Sequence, residues 1–247
     1  MRICCTGGKG RLGRSLSPFV TPLSHEACPV DDIARVAAQV LEYDVVIHAA
    51  SVLSIESEQN HQKAWNVNVR GSENVARVCK ELGKRLVYIS TDYVFSGREG
   101  NYNEESQPDP INYYGFTKWC GEEVSKFCPN HLILRVPFRV APWPHPVAYV
   151  DAWSSSRWLP EIVPDVIAAA ESEITGILHI GGRRLSAHAM ARFTGPMPRH
   201  IAAANRTDWT MFKIPEDVSL DSSKWAAYVA SREAFKAATA PVVGGGR

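Results

Sequence analysis

Arg2-Ile3-Cys4-Cys5-Thr6-Gly7-Gly8-Lys9-Gly10-Arg11-Leu12-Gly13 is a short apolar run that breaks into glycines, with Gly7, Gly10 and Gly13 spaced three apart. The run predicts a buried strand, and the residues after it a helix reaching about Phe19. Glycines between a strand and a helix permit a tight turn and a close approach of backbone to a pyrophosphate at the helix start. A glycine repeat alone says little. Placed at a strand-to-helix turn it points to a dinucleotide-binding βα unit.

Working outward, Val20-Thr21-Pro22-Leu23-Ser24-His25-Glu26 is short and interrupted by proline, which limits it to an edge strand. It shows no clear carboxylate for an adenosine ribose. Asp31 and Asp32 offer an N-cap for a helix with apolar positions Ile33, Val36, Ala37, Val40 and Leu41. Residues 44–51 predict a buried strand ending in the small side chains Ala49, Ala50 and Ser51, with His48 packed inside it. Residues 62–82 predict a long helix burying Trp65, Val69, Val75, Val78 and Leu82, with Asn66 and Asn68 fixing local backbone. Gly83 ends it, and residues 85–89 form the next strand. Further strands are expected at 132–136 and 176–181, and helices at 114–127, 162–170 and 186–193. Alternating strands and helices imply an α/β fold: a Rossmann doubly wound parallel sheet with helices on both faces.

The chemistry concentrates at 87–118. Val87-Tyr88-Ile89-Ser90-Thr91-Asp92-Tyr93 is an apolar strand that stops in hydroxyls and a carboxylate. Tyr114 and Lys118, four apart at a helix start, share one helix face. An ammonium beside a phenol favours the phenolate, so the pair predicts a tyrosine with a lowered pKa, poised to exchange a proton.

Composition excludes several classes. The net charge of the 247 residues is +1, which gives no electrostatic case for nucleic acid or a membrane surface as partner. The six cysteines form no CxxC and no zinc-ligand spacing. No leader segment and no run of membrane-spanning length is recognised, so a reducing cytoplasm is the expected compartment. Trp143, Trp153 and Trp158 surround a proline-dense loop, Ala141-Pro-Trp-Pro-His-Pro146, where stacking on a ligand and plain packing are both open. His145 in that loop is expected on the surface.

Thr6–Gly13, Val46-Ile-His-Ala-Ala50, Ser90-Thr-Asp-Tyr-Val-Phe-Ser-Gly97 and Tyr114-Gly-Phe-Thr-Lys118 stand in the order found in extended short-chain dehydrogenases/reductases. Ser90–Gly97 followed by Pro110-Ile-Asn-Tyr-Tyr-Gly-Phe-Thr-Lys-Trp-Cys-Gly-Glu122 most resembles the dTDP-4-dehydrorhamnose reductase family. The resemblance is specific over residues 1–136 and thin beyond.

It implies an NADPH-dependent reductase of a keto group on a nucleotide-activated deoxysugar, with Thr91, Tyr114 and Lys118 as the catalytic set. NADP(H), preferred over NAD(H), would meet Gly7, Lys9, Gly10, Arg11, Leu12, Gly13, Arg14, Ala49, Ala50, Ser90, Tyr114, Lys118 and Pro137. Lys9, Arg11 and Arg14 read equally as surface charges or as partners of the 2′-phosphate. Ser51, Val52, Asp92, Tyr93 and Arg206 would face the nucleotide-sugar substrate, with Arg206 as a candidate for its diphosphate.

The implied organisation is an NADP-binding domain at 1–136, rejoined by 162–182. A small C-terminal substrate lobe would comprise 137–161 and 183–236, with a flexible tail at 237–247. Ser15 stands where some relatives carry a metal-linked glutamate, so no metal is expected, and a homodimer is compatible with the resemblance. Two alternatives remain: a non-catalytic NADP-binding regulatory subunit, like that of methionine adenosyltransferase, and a nucleotide-sugar epimerase or dehydratase of the same superfamily.

Overall fold

The computed structural model describes residues 1–192 and 201–239. Its main sheet has six strands: β1 (Ile3–Thr6), β2 (Thr21–Leu23), β3 (Val45–His48), β4 (Arg85–Ser90), β5 (His131–Arg135) and β6 (Gly176–His179). They lie in the order β6-β5-β4-β3-β1-β2, and every pairing is parallel. The doubly wound sheet is therefore the observed fold, with the short, proline-bearing β2 at one edge.

Successive strand residues point to opposite faces, and both faces are covered. On one face Ile3, Cys5, Val45, Ile47, Val87, Ile89, Leu132 and Leu134 pack on Leu12, Leu16, Ile162 and Val166. On the other, Cys4, Val46 and Leu86 pack on Val36, Val40, Val75, Val78 and Cys79. The chain reverses its direction of travel across the sheet between β1 and β3. Loops leaving those two strands diverge there and open a crevice at their carboxyl ends.

The expected long helix is one continuous run built as His61–Trp65, a π-helical turn Asn66–Arg70, and Gly71–Glu81. Val69, Val75 and Val78 are buried as expected. Leu82 is not: the helix ends at Glu81, Leu82 takes non-helical backbone angles, and its side chain leaves the buried stripe for solvent. Two helices escape the apolar spacing altogether. Ser54–Gln59 is too short to show a stripe, and Ser223–Thr239 carries few large apolar residues among many alanines.

Between β5 and β6, and beyond β6, the chain makes short strand pairs. Phe138–Arg139 pairs with Arg157–Trp158, Leu185–Ser186 with Trp153–Ser154, and Ala202–Ala204 with Val147–Tyr149. Trp143, Ala148 and Ala191 form a small core there, with Trp158 and Ile201 against it. Trp143 is buried and donates its indole N–H to Val147 O at 3.1 Å, so this tryptophan packs. His145 is exposed.

Residues 223–236, expected with the lobe, depart from that placement. Trp225, Tyr228 and Val229 of the last helix pack on the core of the main sheet, because this helix runs alongside β6. The helix also includes the first residues of the expected tail, 237–239. Residues 240–247 lie outside the described residues, as does Phe193 of the expected 186–193 helix, observed as Ala187–Arg192. Among the described residues no helix is long and apolar enough to cross a membrane.

The helix Tyr113–Ser125 sits unusually close to β4 and to the π turn. A Cβ at Gly121 would lie 2.1 Å from Tyr88 Oη and 2.7 Å from Asn68 O, so only glycine permits this approach. Gly121→Ala is expected to cost at least about 2 kcal/mol of stability by overpacking. Urea unfolding checks it, and an unchanged midpoint would refute the close contact.

Candidate active site

Three turns converge at the carboxyl edge of the sheet. The first is the glycine turn after β1. Gly7 has φ +72°, and a Cβ there would stand 2.7 Å from Ala50 N, so the turn is seated against the backbone leaving β3. Gly10 caps the helix Arg11–Leu16 and offers no side-chain acceptor to its first amides. Leu12 is buried, while Arg11 and Arg14 are exposed and have no side-chain partner among the described residues. Lys9 forms an ion pair with Glu26 at 3.0 Å. The Glu26 carboxylate lies just past β2, held at about 2 first by the Ser24 hydroxyl, then by its own backbone and Lys9.

The second turn follows β3. Asn68, fully buried in the π turn, accepts from Val52 N at 2.7 Å and from Ser51 Oγ at 3.1 Å. Its amide donates to Val52 O and to Thr117 Oγ1, both at 3.0 Å. One asparagine thus fixes Ser51 and Val52 and ties them to the Tyr113–Ser125 helix. His48 is a packed histidine, as its strand position predicts. It lies between Thr6 Oγ1 at 2.7 Å and Ser72 Oγ at 3.0 Å, and burial holds its pKa at about 3.

The third turn follows β4 and carries Thr91, Asp92 and Tyr93. Thr91 Oγ1 donates to Asp92 Oδ1 at 3.1 Å and accepts from Tyr93 N at 3.2 Å. Asp92 is buried, and its other oxygen accepts from Ser154 Oγ at 2.7 Å. Burial raises its pKa, opposed by the charge of Arg139 and the hydroxyls of Ser154 and Thr91. The Tyr93 ring meets Tyr114 edge-on at 6.2 Å.

The helix bearing Tyr114 starts where it does because two side chains cap it. Asn112 Oδ1 accepts from Gly115 N at 2.8 Å, and Glu58 Oε1 accepts from Tyr113 N at 2.7 Å. Asn112 is legible as an N-cap; Glu58, fifty-five residues earlier, carries no local signal.

The tyrosine-lysine pair does not behave as its spacing predicts. Lys118 is buried, its ammonium donating to Ile89 O at 2.7 Å and lying 4.1 Å from the Tyr88 ring centroid. Desolvation pulls its pKa down to about 7. Tyr114 is pushed up to about 12, first by burial and then by the Asp92 carboxylate, against smaller effects of Thr91 and Arg139. The lowered tyrosine pKa expected from spacing is therefore corrected: the phenol is protonated throughout the neutral range, because the cation meant to ionise it faces β4.

Ser90 is likewise turned away from the crevice. Its hydroxyl donates to Glu122 Oε1 at 2.5 Å inside the core. Glu122 is bound twice by Arg135, at 2.9 and 2.7 Å, and Arg135 reaches His179 Nε2 at 3.3 Å. Pro137 is buried, and its carbonyl accepts from Arg157 N at 3.2 Å. Arg206, expected at a diphosphate, has its guanidinium engaged by Glu216 at 2.9 Å, Ile214 O at 3.2 Å and Asp151 at 3.7 Å. The structure thus brings Thr91, Asp92, Tyr93 and Tyr114 together and leaves Arg206 in a separate ion-paired loop.

Known proteins resemble this chain in sequence and in fold. Residues 1–140 match the RmlD substrate binding domain family. A dTDP-4-dehydrorhamnose reductase of Mycolicibacterium smegmatis is 34% identical over 133 residues, covering 50% of this chain and 41% of that protein. Methionine adenosyltransferase 2 subunit beta of Danio rerio is 38% identical over 109 residues, covering 43% of this chain and 33% of that one. The chain thus aligns with less than half the length of these relatives. A dTDP-4-dehydrorhamnose reductase from Bacillus anthracis, solved in complex with NADP, superposes with a TM-score of 0.84 at 22% identity over 92% of both chains. A hypothetical dTDP-4-dehydrorhamnose reductase from Sulfolobus tokodaii gives 0.80 at 27% identity over 92% and 94%. With its motif-bearing half matched throughout and its fold superposing nearly end to end, this chain belongs to the RmlD substrate-binding-domain family.

Proposed function

We propose that this protein binds NADP(H) and reduces a keto group on a nucleotide-activated deoxysugar, as the related dTDP-4-dehydrorhamnose reductases are named for doing. The observation that carries the reading is a protonated, half-buried Tyr114 beside Thr91 at the carboxyl edge of the sheet. The crevice also fits the cofactor. Gly7 seats the turn where β1 and β3 part, and amides without a side-chain cap follow it. Gly7, Gly10, Leu12, Gly13, Ala49 and Ala50 would line it, with Arg11 and Arg14 free to meet a 2′-phosphate.

Hydride donation is the chemistry such a cofactor supplies when bound. Tyr114 would give its proton to the carbonyl oxygen as negative charge builds there. Thr91 would hydrogen-bond the same oxygen. Lys118, inward in this structure, would hold a ribose hydroxyl only after turning from Ile89 O. Asp92 and Tyr93 would face the sugar, and the segments around 138–158 would complete the substrate side.

The second reading, a non-catalytic NADP-binding regulatory subunit, draws on that inward Lys118 and on the similarity to the methionine adenosyltransferase subunit. Turnover separates the two. The native protein is expected to oxidise NADPH with dTDP-4-keto-6-deoxyhexose, and Tyr114→Phe to bind NADPH equally but lose at least about a hundredfold in rate. NADPH binding without turnover across a panel of keto-sugars would favour the regulatory subunit.

For cofactor choice, Arg11→Ala and Arg14→Ala are each expected to weaken NADPH by about fivefold and leave NADH unchanged. Fluorescence titration reads both, and unaltered preference in the two variants rejects the 2′-phosphate assignment.

Lys118 also makes stability depend on pH in the cofactor-free protein. Its folded pKa of about 7 lies below the ordinary lysine value of 10.5, so the unfolded chain binds the extra proton between them. Its penalty is full below pH 7 and is relieved as pH rises through that window. Stability relative to Lys118→Met should climb accordingly in chemical unfolding. A constant difference would show that the ammonium is not desolvated.

A further inference from the structure

Most cations around the carboxyl edge are already engaged. Arg157 is paired with Asp165 and with Glu161 O, Arg184 with Asp217, Arg206 with Glu216 and Asp151, and Lys118 with a backbone carbonyl. Arg139 differs. It is half-buried, it donates from one guanidinium nitrogen to its neighbour Phe138 O at 3.2 Å, and it has no carboxylate partner among the described residues.

Its place in the fold is set by backbone. Residues 138–139 leave the end of β5 and pair with 157–158, three residues past the Ser154 that bonds Asp92. Ser156 Oγ, 2.8 Å from Ser154 Oγ, closes the same corner. Arg139 therefore stands on the wall facing Thr91–Tyr93. It is near enough for its charge to favour the ionised forms of Asp92, Tyr93 and Tyr114. No ion pair joins it to Asp92, whose two oxygens accept from Thr91 and Ser154. A partly desolvated guanidinium with most of its donors open is suited to planar, paired recognition of phosphate or carboxylate oxygens.

We propose that Arg139 is the anion-recognising residue of the substrate side, holding the diphosphate of the nucleotide sugar. This assignment rests on the reductase reading for the identity of the anion. It replaces Arg206, whose guanidinium is already ion-paired with Glu216 and Asp151.

The test is calorimetric titration of the NADPH-loaded protein with dTDP and, separately, UDP, comparing native, Arg139→Met, Arg139→Lys and Arg206→Met forms. NADPH affinity is measured in each, and thermal unfolding confirms that each is folded. Arg139→Met should weaken nucleoside diphosphate binding by about tenfold or more, as expected for a lost charged hydrogen bond. NADPH should change less than about twofold, and Arg139→Lys should recover part of the loss. Arg206→Met, if folded, should bind the diphosphate like the native form.

Unchanged diphosphate binding in Arg139→Met overturns the proposal. So does a loss confined to NADPH, which would assign the guanidinium to the cofactor, and so does failure of both nucleotides to bind the native protein. Arg139-dependent dTDP or UDP binding without turnover on any keto-sugar would sink the reductase reading and leave this assignment standing. Turnover with Arg139-independent binding would do the reverse.

Discussion

A buried carboxylate holds the carboxyl edge of the sheet together. Glu122 has no solvent exposure, and it receives Ser90 at the end of β4 and both arms of Arg135 on β5 while sitting on the helix of Tyr114. Three elements distant in sequence are thereby fixed to one point. Arg135 continues the chain of contacts to His179 on β6 and lies over the Phe95 ring at 4.9 Å. His179 then passes its other ring nitrogen to Tyr102 O at 3.1 Å. Removing one partner of such a pair leaves an uncompensated buried charge, at a cost of about 3–5 kcal/mol. The network contributes geometry more than net stability, since the pair must first be stripped of water.

The same burial sets the electrostatics of the crevice. Lys118 lies one helical turn from Glu122, and that negative charge raises its pKa, but desolvation is the larger effect. Tyr114 is left with Asp92 as its nearest strong influence and stays a phenol. A half-buried phenol and a buried, hydroxyl-bound carboxylate suit a proton donor. They do not suit a resting tyrosinate.

Positions around the crevice fall into those with local signals and those without. The glycine turn, the strand-end hydroxyls, the cap at Asn112 and the tyrosine-lysine spacing are local patterns, readable because backbone geometry repeats over a few residues. Glu58, Asn68, Ser154 and Arg139 reach the edge from elsewhere, through contacts spanning from 16 residues, for Asn68 and Val52, to 62, for Ser154 and Asp92. Asn68 was expected only to fix local backbone, and the Ser51–Val52 turn it holds lies on another segment. Ser154 and Arg139 had no signal beyond their types.

Residues 1–136, taken alone, determined the alternation of strands and helices, the parallel sheet and the crevice position, because hydrophobic period and glycine placement are set by neighbours. Where the Lys118 ammonium points, which hydroxyl Ser90 offers and to whom, and which arginine is free were decided only by the tertiary structure. Each depends on desolvation and on hydrogen-bond partners that the fold brings from distant sequence. The conformation of the glycine turn is a property of Gly7 and Gly13, whereas the charge state of Tyr114 is a property of everything packed around it.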